Sequence, residues 1–456
     1  MSVRLLHYSD LENVYDDPTQ AARVAGAIRA VRQDAGPEPI VMGSGDNTAP
    51  GVLSLVSSGR QALVLYDAVR PDVETFGNHD FDYGPEATRD IVRDSPQTWV
   101  SSNAYIDGER FGAGAGVEAW TVLARGDERV GVFGVLDDAT PSLNPAAGDL
   151  SVGDPIAFAQ EAVEGLREAG VDYVVGLSHL GRRDETLATS VDVDAVLGGH
   201  IPSERVERLD GTVLTRPGSG GEVLLEITIP EGTVTRHEVA DAPVVEAVAD
   251  ELRARQRATG LDEVVAHVSE PIERTETRVF RGESRIGNFV ADAYRHVAQA
   301  DVGLQNSGGV RNGPPLAGPV TVADLVSVVP FEEPVSVAAL SGAELLDVLS
   351  GADGGGLGFA EPEWWHAHVS GIEIVWDEAA GRVREARVAG EAVDPDREYT
   401  LATTDYLFYS DDEFPALEES HRVGQLDVQY EVLADYARAQ GIDPALEGRI
   451  SRERGD

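Results

Sequence analysis

Oxygen and nitrogen donors recur in this chain directly after short apolar runs. The donors are Asp10, Asp46, Asn78, His79, Asp82, His179 and His200, and glycine stands beside most of these positions. Taken singly, an Asp at a strand end is more often a turn or helix cap, and a lone His is more often a core residue. The series as a whole has the composition of a centre for two divalent cations. The chain contains 0 Cys, so thiolate ligands are excluded.

The apolar runs have the length and composition of buried strands. They are Arg4 to His7, Pro39 to Gly43, Val73 to Phe76, Thr98 to Ser101, Arg129 to Val135, Tyr173 to Ser178 and Ala195 to Gly198. Stretches with helical spacing lie between them, and Thr19 to Gln33 and Pro155 to Ala169 are the clearest. Alternating strands and helices predict a layered α/β fold. The donors are expected to follow strand ends of one sheet and to meet at one rim.

The chain is strongly acidic. It carries 80 Asp and Glu residues against 36 Lys and Arg, all of them Arg, which gives a formal net charge of −44. This charge repels polyphosphates, and the sequence shows no basic patch, so we expect neither nucleic acid nor membrane as a partner. Dense carboxylates without lysine are typical of halophilic proteins, whose folded state gains stability when salt screens the charge. A hydrophobic content of 42% argues against disorder.

The length of 456 residues favours two domains. The N-terminus has no basic segment followed by an apolar stretch, and no apolar run of about 20 residues occurs, so we expect a cytoplasmic protein. We place a metal-binding domain at residues 1–238, a linking helical segment at 239–262 and a second domain at 263–456. An equally good interpretation makes the charged helix in the middle segment, Pro243 to Gly260, a peripheral helix of the first domain.

The order and spacing of these motifs resemble the calcineurin-like metallophosphoesterases. The matching motifs are Gly45-Asp46, Gly77-Asn78-His79-Asp80-Phe81-Asp82, Ser178-His179-Leu180-Gly181 and Gly198-Gly199-His200. In the second half, three segments resemble the 5′-nucleotidase C-terminal domain: Asn306 to Arg311, Val329 to Phe331 and Asp412 to Pro415. The resemblance covers nearly the whole chain. It implies a four-layer α/β/β/α metallophosphoesterase sandwich followed by an α/β 5′-nucleotidase domain.

The resemblance also implies a role for each matching residue. The implied metal ligands are Asp10 for metal 1, Asp46 as the bridge, and Asn78, His179 and His200 for metal 2. The implied catalytic residues are His79, facing the phosphate, and Asp82, which orients it. The implied substrate contacts are Arg311 for the phosphate, Phe331 and Tyr406 for the two faces of the base, and Asp412 for the ribose hydroxyls.

Two positions depart from the family pattern at metal 1. Glu12 replaces the His of Asp-x-His, and Pro202 stands where a His or Gln completes the ligand set. We hypothesise that Glu12 is itself a ligand rather than a solvated loop acid. Metal 1 would then have carboxylate ligands, which favour Mn²⁺ or Mg²⁺ over Zn²⁺. The alternative is a metal 1 that binds weakly or only with substrate.

Two further positions bear on the substrate. Glu333 stands where the family has an Asn at the base edge. A carboxylate only accepts hydrogen bonds, so we predict that GMP-like substrates are preferred over AMP. A second phosphate contact is assigned to Arg281, with Arg278 as the alternative, although neither falls cleanly on the family's position.

Together these features predict a metal-dependent hydrolase of nucleoside 5′-monophosphates. A metal-bound hydroxide would attack phosphorus in line, and the partners would be a small nucleotide and two divalent ions, Mn²⁺ or Mg²⁺ being favoured and Zn²⁺ possible. One alternative keeps the chemistry but changes the substrate to 2′,3′-cyclic nucleotides, nucleotide sugars or another small phosphate ester. A second alternative is a nucleotide-binding or sensing protein with an impaired metal-1 site. The sequence does not indicate an oligomeric state.

Overall fold

A computed structural model describes residues 2–34, 36–359, 361 and 363–453 of the chain. These residues form two units that divide between Thr259 and Gly260. The first unit contains two six-stranded sheets, and the largest sheet of the second has five strands. Among the described residues, no helix has both the length and the apolar character needed to cross a membrane.

The first unit alternates strands and helices. Its strands are β1 (Val3–Tyr8), β2 (Ile40–Ser44), β3 (Val73–Thr75), β4 (Thr98–Trp99), β5 (Ala104–Ile106), β6 (Glu109–Arg110), β7 (Trp120–Arg125), β8 (Glu128–Leu136), β9 (Ser151–Val152), β10 (Tyr173–His179), β11 (Ala195–Gly198), β12 (Arg205–Leu209), β13 (Thr212–Arg216), β14 (Val223–Ile229) and β15 (Thr233–Glu238). Its helices are α1 (Pro18–Gln33), α2 (Val52–Ser57), α3 (Ala62–Val69), α4 (Gly84–Asp94), α5 (Thr140–Leu143), α6 (Pro155–Glu168), α7 (Asp184–Ser190) and α8 (Glu246–Ala258).

The strands that precede the candidate ligands are divided between two sheets, and our expectation of a single sheet was wrong. One sheet has the order β15-β14-β1-β2-β3-β4, and the other has the order β12-β13-β11-β10-β8-β7. Apolar residues of both sheets, including Leu5, Val73, Leu177 and Leu197, form one core. The sheets therefore pack face to face. Strand ends at the shared rim of two stacked sheets produce the same sequence pattern as strand ends of one sheet.

Helices cover the outer face of each sheet. Ile28 of α1 and Leu65 of α3 pack with Leu6 of β1, and Leu166 of α6 packs with Phe133 of β8. The helices begin where short polar side chains can cap them, as at α1, where Asp17 accepts hydrogen bonds from two backbone N–H groups of the first turn. This confirms the predicted α/β/β/α layering.

Helix α8 lies within the first unit. Its buried residues Val248, Ala249 and Leu252 belong to the same core as α1. The helix is shorter at both ends than the predicted stretch from Pro243 to Gly260. The linking role that we assigned to residues 239–262 stays a prediction.

The second unit is built mainly around a mixed sheet of the order β20-β17-β24-β19-β25. The strands of the unit are β16 (Val264–Arg274), β17 (Val302–Asn306), β18 (Gly313–Thr321), β19 (Pro334–Ser341), β20 (Ala367–Ser370), β21 (Ile372–Asp377), β22 (Arg382–Val388), β23 (Glu391–Ala392), β24 (Glu398–Thr404), β25 (Arg422–Val428) and β26 (Ile450–Glu453). Its helices are α9 (Glu276–Val279), α10 (Arg285–Ala298), α11 (Val322–Val326), α12 (Gly342–Leu349) and α13 (Gln429–Gln440). Strands β17 and β24 are parallel, so the segments that follow Asn306 and Thr404 leave the sheet at the same end.

Candidate functional site

The loops at the rim of the first unit hold four candidate ligands in left-handed backbone conformations. The φ angle is 50° at Asp10, 46° at Glu12, 52° at Asp46 and 74° at His200. Each residue other than glycine in this region costs about 1–3 kcal/mol, and such strain concentrates at functional sites. This backbone cluster therefore marks the rim as the candidate site, independently of the side-chain chemistry.

Two groups of ligand atoms meet at this rim, and both contain Asp46. Asp46, His179 and His200 form one group, and Asp10, Glu12 and Asp46 form the other, with the ligand atoms of each group within 4.8 Å of one another. A carboxylate that belongs to two groups is suited to bridge two cations. The structure thus brings the five residues together as two candidate metal-binding groups that share one carboxylate.

Asn78 provides a further test of whether these residues fit metal ions. Its side-chain oxygen Oδ1 is buried and has no hydrogen-bond partner among the described residues. The next residue, His79, donates its backbone N–H to Asp46 Oδ1 at 2.7 Å, which places Asn78 beside the shared carboxylate. A buried amide oxygen without a partner calls for an explanation, and a cation ligand is the simplest one for this donor set.

Glycine permits the close approach of these loops. Gly45, which precedes Asp46, has φ 96°, and a Cβ atom there would lie 2.6 Å from His179 Nδ1. A larger residue would therefore displace His179, whose Nε2 lies 2.9 Å from Asp46 Oδ2. This requirement explains the glycine beside Asp46 in the sequence.

Burial and mutual charge determine the protonation of the group. Burial raises the pKa of Asp10 to about 7; His179 opposes this rise, and the charges of Asp46 and Glu12 add to it. Burial also acts to raise the pKa of Asp46, but His179 and His79 outweigh it and hold that pKa well below its usual range. Burial lowers the pKa of His200 to about 3, which keeps its ring in the neutral form that binds metals. The site therefore crowds three carboxylates together, and a cation would take the place of the protons that reduce their repulsion in the metal-free protein.

His79 is held by Asp82, which is itself held by a residue that the sequence did not reveal. Its Nδ1 lies 3.1 Å from Asp82 Oδ1 and 3.2 Å from Oδ2, as the motif led us to expect. Asn144 Nδ2 donates to Asp82 Oδ1 at 2.9 Å and to the carbonyl oxygen of Asn78 at 2.7 Å. The only sequence signal at Asn144 is local, since its side chain also caps the turn at Ala146. That signal does not indicate a contact with Asp82.

Asp80 is a second residue whose part we missed, although it lies inside the recognised motif. Its Oδ2 accepts hydrogen bonds from the backbone N–H groups of Asp46 at 3.0 Å and Gly77 at 2.7 Å. Its Oδ1 accepts from the backbone and the hydroxyl of Thr48 at 3.1 Å and 2.6 Å. Asp80 therefore fastens the loop after β2 to the loop after β3.

His7 follows the same strand-end pattern but does not join either ligand group. Its Nδ1 lies 3.0 Å from Thr215 Oγ1, and its Nε2 lies 2.8 Å from Ser44 Oγ. Burial lowers its pKa to about 3, so the ring is neutral. His7 is a core residue that connects β1 of one sheet with β13 of the other.

In the second unit, several predicted substrate contacts lie at the end of the sheet where β17 and β24 finish. Arg311 is half-buried in the turn after β17, and its Nη1 donates to the carbonyl oxygen of Gly308 at 3.1 Å. Tyr406 follows β24, and Glu333, which precedes β19, accepts a hydrogen bond from Thr404 Oγ1 at 3.0 Å.

The remaining predicted contacts differ in exposure. Phe331 is half-buried, and Asp412 is exposed. Arg281 has a side chain that is 59% exposed, and it pairs with Glu363 at 3.3 Å. The phosphate contact that we assigned to Arg281 stays a prediction.

The sequence matches two known families in succession. Residues 3–204 match the calcineurin-like phosphoesterase family, and residues 264–419 match the 5′-nucleotidase C-terminal domain. The chain is 24% identical to the trifunctional nucleotide phosphoesterase protein YfkN of Bacillus subtilis over 98% of its own length, but it spans only 34% of that longer protein. It is 26% identical to an apyrase of Tabanus yao, with 94% and 87% of the two chains covered. It is 24% identical to a 5′-nucleotidase of Bos taurus, with 95% and 85% covered.

Solved structures share the fold. A 5′-nucleotidase precursor from Thermus thermophilus superposes with a TM-score of 0.86 over 100% of both chains at 24% identity. The sulfate thiohydrolase SoxB of the same organism superposes with a TM-score of 0.81 over 99% and 96% of the chains at 21% identity. Structures at these identities establish the two-domain architecture and leave the substrate open.

Proposed function

We propose a substrate for this chain, which belongs to the 5′-nucleotidase family and is a phosphoric ester hydrolase. It has a calcineurin-like phosphoesterase domain and a 5′-nucleotidase C-terminal domain, and it hydrolyses nucleoside 5′-monophosphates to nucleoside and phosphate. The observation that carries this proposal is the carboxylate of Asp46, which belongs to both ligand groups at the rim. Two cations that share one ligand can act on a single phosphate, which is the usual arrangement for displacement at phosphorus.

The two metal positions differ in chemistry. Asp10, Glu12 and Asp46 form an all-oxygen set, which favours Mn²⁺ or Mg²⁺. Asp46, His179 and His200, together with Asn78, form a mixed set that also accepts Zn²⁺. Glu12 replaces the usual His, and Pro202 contributes no side-chain donor. When bound, the cations supply Lewis-acid charge and lower the pKa of a water molecule.

His79 acts on the reacting phosphate. Asp82, itself held by Asn144, fixes the ring through Nδ1, and we assign Nε2 as the nitrogen that faces the phosphate. From there it stabilises charge on the phosphoryl oxygens or transfers a proton to the leaving ribose oxygen, which contributes about 10²–10⁴ in rate.

The second unit recognises the nucleotide. Arg311 binds a phosphate oxygen through its planar guanidinium, and Phe331 and Tyr406 stack on the base. Asp412 accepts hydrogen bonds from the ribose hydroxyls. Glu333 accepts from donor groups on the base edge, which favours guanine. The positive charge that offsets the net charge of −44 is therefore local, from the cations and Arg311.

A substrate screen tests the proposal. Phosphate release is measured in Mn²⁺ and about 2–4 M KCl, a range that screens the surface charge, for nucleoside 5′-monophosphates, 2′,3′-cyclic nucleotides, nucleotide sugars and p-nitrophenyl phosphate. We expect the 5′-monophosphates to have the highest kcat/KM and Asp46→Asn to lose turnover. Asp94→Asn, on an exposed ion pair with Arg60, is the matched control. Faster release from cyclic nucleotides or nucleotide sugars would replace the 5′-monophosphates with that phosphate ester as the assigned substrate.

A further inference from the structure

Glu413 is a buried carboxylate that joins three segments of the second unit. It is 4% exposed, its Oε1 accepts a hydrogen bond from Tyr406 OH at 2.8 Å, and its Oε2 accepts one from Asn306 Nδ2 at 2.8 Å. His366 Nε2 pairs with the same Oε2 atom, and the backbone N–H of Glu413 donates to Ser410 Oγ at 2.9 Å. Side chains from three separate parts of the chain thus converge on one carboxylate.

The charge of Glu413 is well supported by these partners. Burial acts to raise its pKa, but the charge and hydrogen bond of His366, with the hydrogen bonds of Tyr406 and Asn306, lower that pKa below its ordinary value. Hydrogen bonds to a buried charge are stronger than those between neutral groups, and they hold their partners in fixed positions.

The partners of Glu413 belong to the segments that the proposed function uses. Asn306 begins the turn that carries Arg311, Tyr406 is the residue proposed to stack on the base, and Asp412, proposed for the ribose, directly precedes Glu413. We infer that Glu413 is a positioning residue for nucleotide recognition, which fixes the ring plane of Tyr406 and the start of the phosphate-binding turn from one point. This inference rests on the proposed function.

The surroundings of Glu413 limit how far its carboxylate can shift. The ring of His366 stacks on that of Phe414 with centroids 5.9 Å apart. A Cβ atom at Gly308 would lie 3.5 Å from His366 Cε1, so the ring lies close against the turn between Asn306 and Arg311. A binding site whose supporting residues are packed in this way keeps its geometry. Loss of the Glu413 carboxylate would free the ring of Tyr406 and the turn after Asn306 to move.

The test compares a nucleotide with a phosphate ester that has no nucleoside. For wild type and Glu413→Gln, kcat and KM are measured for GMP and for p-nitrophenyl phosphate at high salt with Mn²⁺. We expect the ratio of the two kcat/KM values to fall by about tenfold in Glu413→Gln, with the larger change in KM for GMP. Tyr406→Phe keeps the ring and removes only the hydroxyl, and we expect a smaller fall in the same direction. In the Tyr406→Phe background, Glu413→Gln should lower the ratio less than it does in wild type.

Asp301→Asn is the matched control. Asp301 accepts hydrogen bonds from the backbone and hydroxyl of Thr400 at 2.9 Å and 3.0 Å, at the opposite end of β17 and β24. Its substitution should leave the ratio at the wild-type value even if it lowers stability.

Three outcomes would overturn the inference. If Glu413→Gln lowers both kcat/KM values by the same factor, Glu413 only supports the fold. If Glu413→Gln does not fold, Tyr406→Phe decides, and a ratio equal to that of wild type overturns the inference. If wild type itself shows no preference for GMP over p-nitrophenyl phosphate, the proposed function fails, and the inference fails with it for that separate reason.

Discussion

Asn144 donates a hydrogen bond to Asp82 at 2.9 Å although the two residues are 62 positions apart in the chain. The same side-chain nitrogen donates to the carbonyl oxygen of Asn78 at 2.7 Å. Since Asp82 lies against His79 Nδ1, a residue outside the motif fixes the orientation of the catalytic candidate within it.

Replacement of Asn144 should therefore reduce turnover. We expect Asn144→Ala to lower kcat by about tenfold or more with little change in KM, because Asp82 loses a restraint and His79 reorients. Steady-state kinetics on the preferred nucleotide measure this. Asn103→Ala is the control, since Asn103 is buried in the same unit and donates to the carbonyl oxygens of Leu136 and Gly153. An Asn144→Ala protein with wild-type kcat and only a lower Tm would show that Asn144 is purely structural.

Metal content should depend on Glu12. We expect Glu12→Gln to weaken binding at the all-oxygen position, so that bound Mn²⁺ falls towards about half of the wild-type amount. Equilibrium dialysis with elemental analysis measures the content without reference to activity. Glu38→Gln serves as the control, because the Glu38 side chain is 66% exposed. Unchanged metal content and activity in Glu12→Gln would make Glu12 a solvated loop acid.

Metal binding should release protons near neutral pH. In the metal-free protein, burial raises the pKa of Asp10 to about 7. Burial lowers the pKa of His179, but the charge of Asp46 and its hydrogen bond outweigh burial and raise that pKa to about 10. Both raised values mean that the fold holds protons that a cation must displace, so Mn²⁺ affinity should increase from pH 6 to pH 8 on the order of tenfold or more. Calorimetry in two buffers of different ionisation enthalpy counts these protons, and equal enthalpies in both buffers would contradict the prediction.

The preference of the enzyme for one nucleotide base over another should depend on Glu333. Thr404 Oγ1 donates to Glu333 Oε2 and orients the carboxylate, which we propose accepts hydrogen bonds from guanine N1–H and its amino group. We expect a higher kcat/KM for GMP than for AMP in wild type and a loss of that preference in Glu333→Asn. Glu332→Gln, at the exposed neighbouring position, is the control. A wild-type preference for AMP would refute this interpretation of the pocket.

Salt should stabilise the fold. With a net charge of −44, repulsion between surface carboxylates should diminish as KCl rises from about 0.1 M to about 2 M, and Tm should rise accordingly. Thermal melts in KCl are compared with melts in sucrose of equal osmolality, which does not screen charge. The electrostatic account would be rejected if sucrose raised Tm as much as KCl.

Local patterns predicted the elements well, and long-range contacts escaped them. The strand at 195–198 and the helix that ends at Gln33 appear as expected because buried runs and caps are encoded by neighbouring residues. Asn306 and Glu413, by contrast, lie 107 positions apart, and neither segment alone signals their contact. His7 has the same local pattern as a ligand and is distinguished by its hydrogen bonds to Thr215 in the other sheet and to Ser44 in the neighbouring strand. The assignment of strands to two sheets is likewise a property of packing that no single strand end encodes.

The left-handed backbone at Asp10, Glu12, Asp46 and His200 also restricts how this centre can change in evolution. Asparagine and glycine adopt that backbone readily, whereas β-branched residues do not. A residue that replaces one of these ligands must therefore first fit the left-handed backbone and only then supply a suitable donor atom. Loss of metal binding by mutation would pass most easily through asparagine, because asparagine fits the loop and lacks the charge. Descendants that lost the metal centre should therefore retain asparagine or glycine at these four positions.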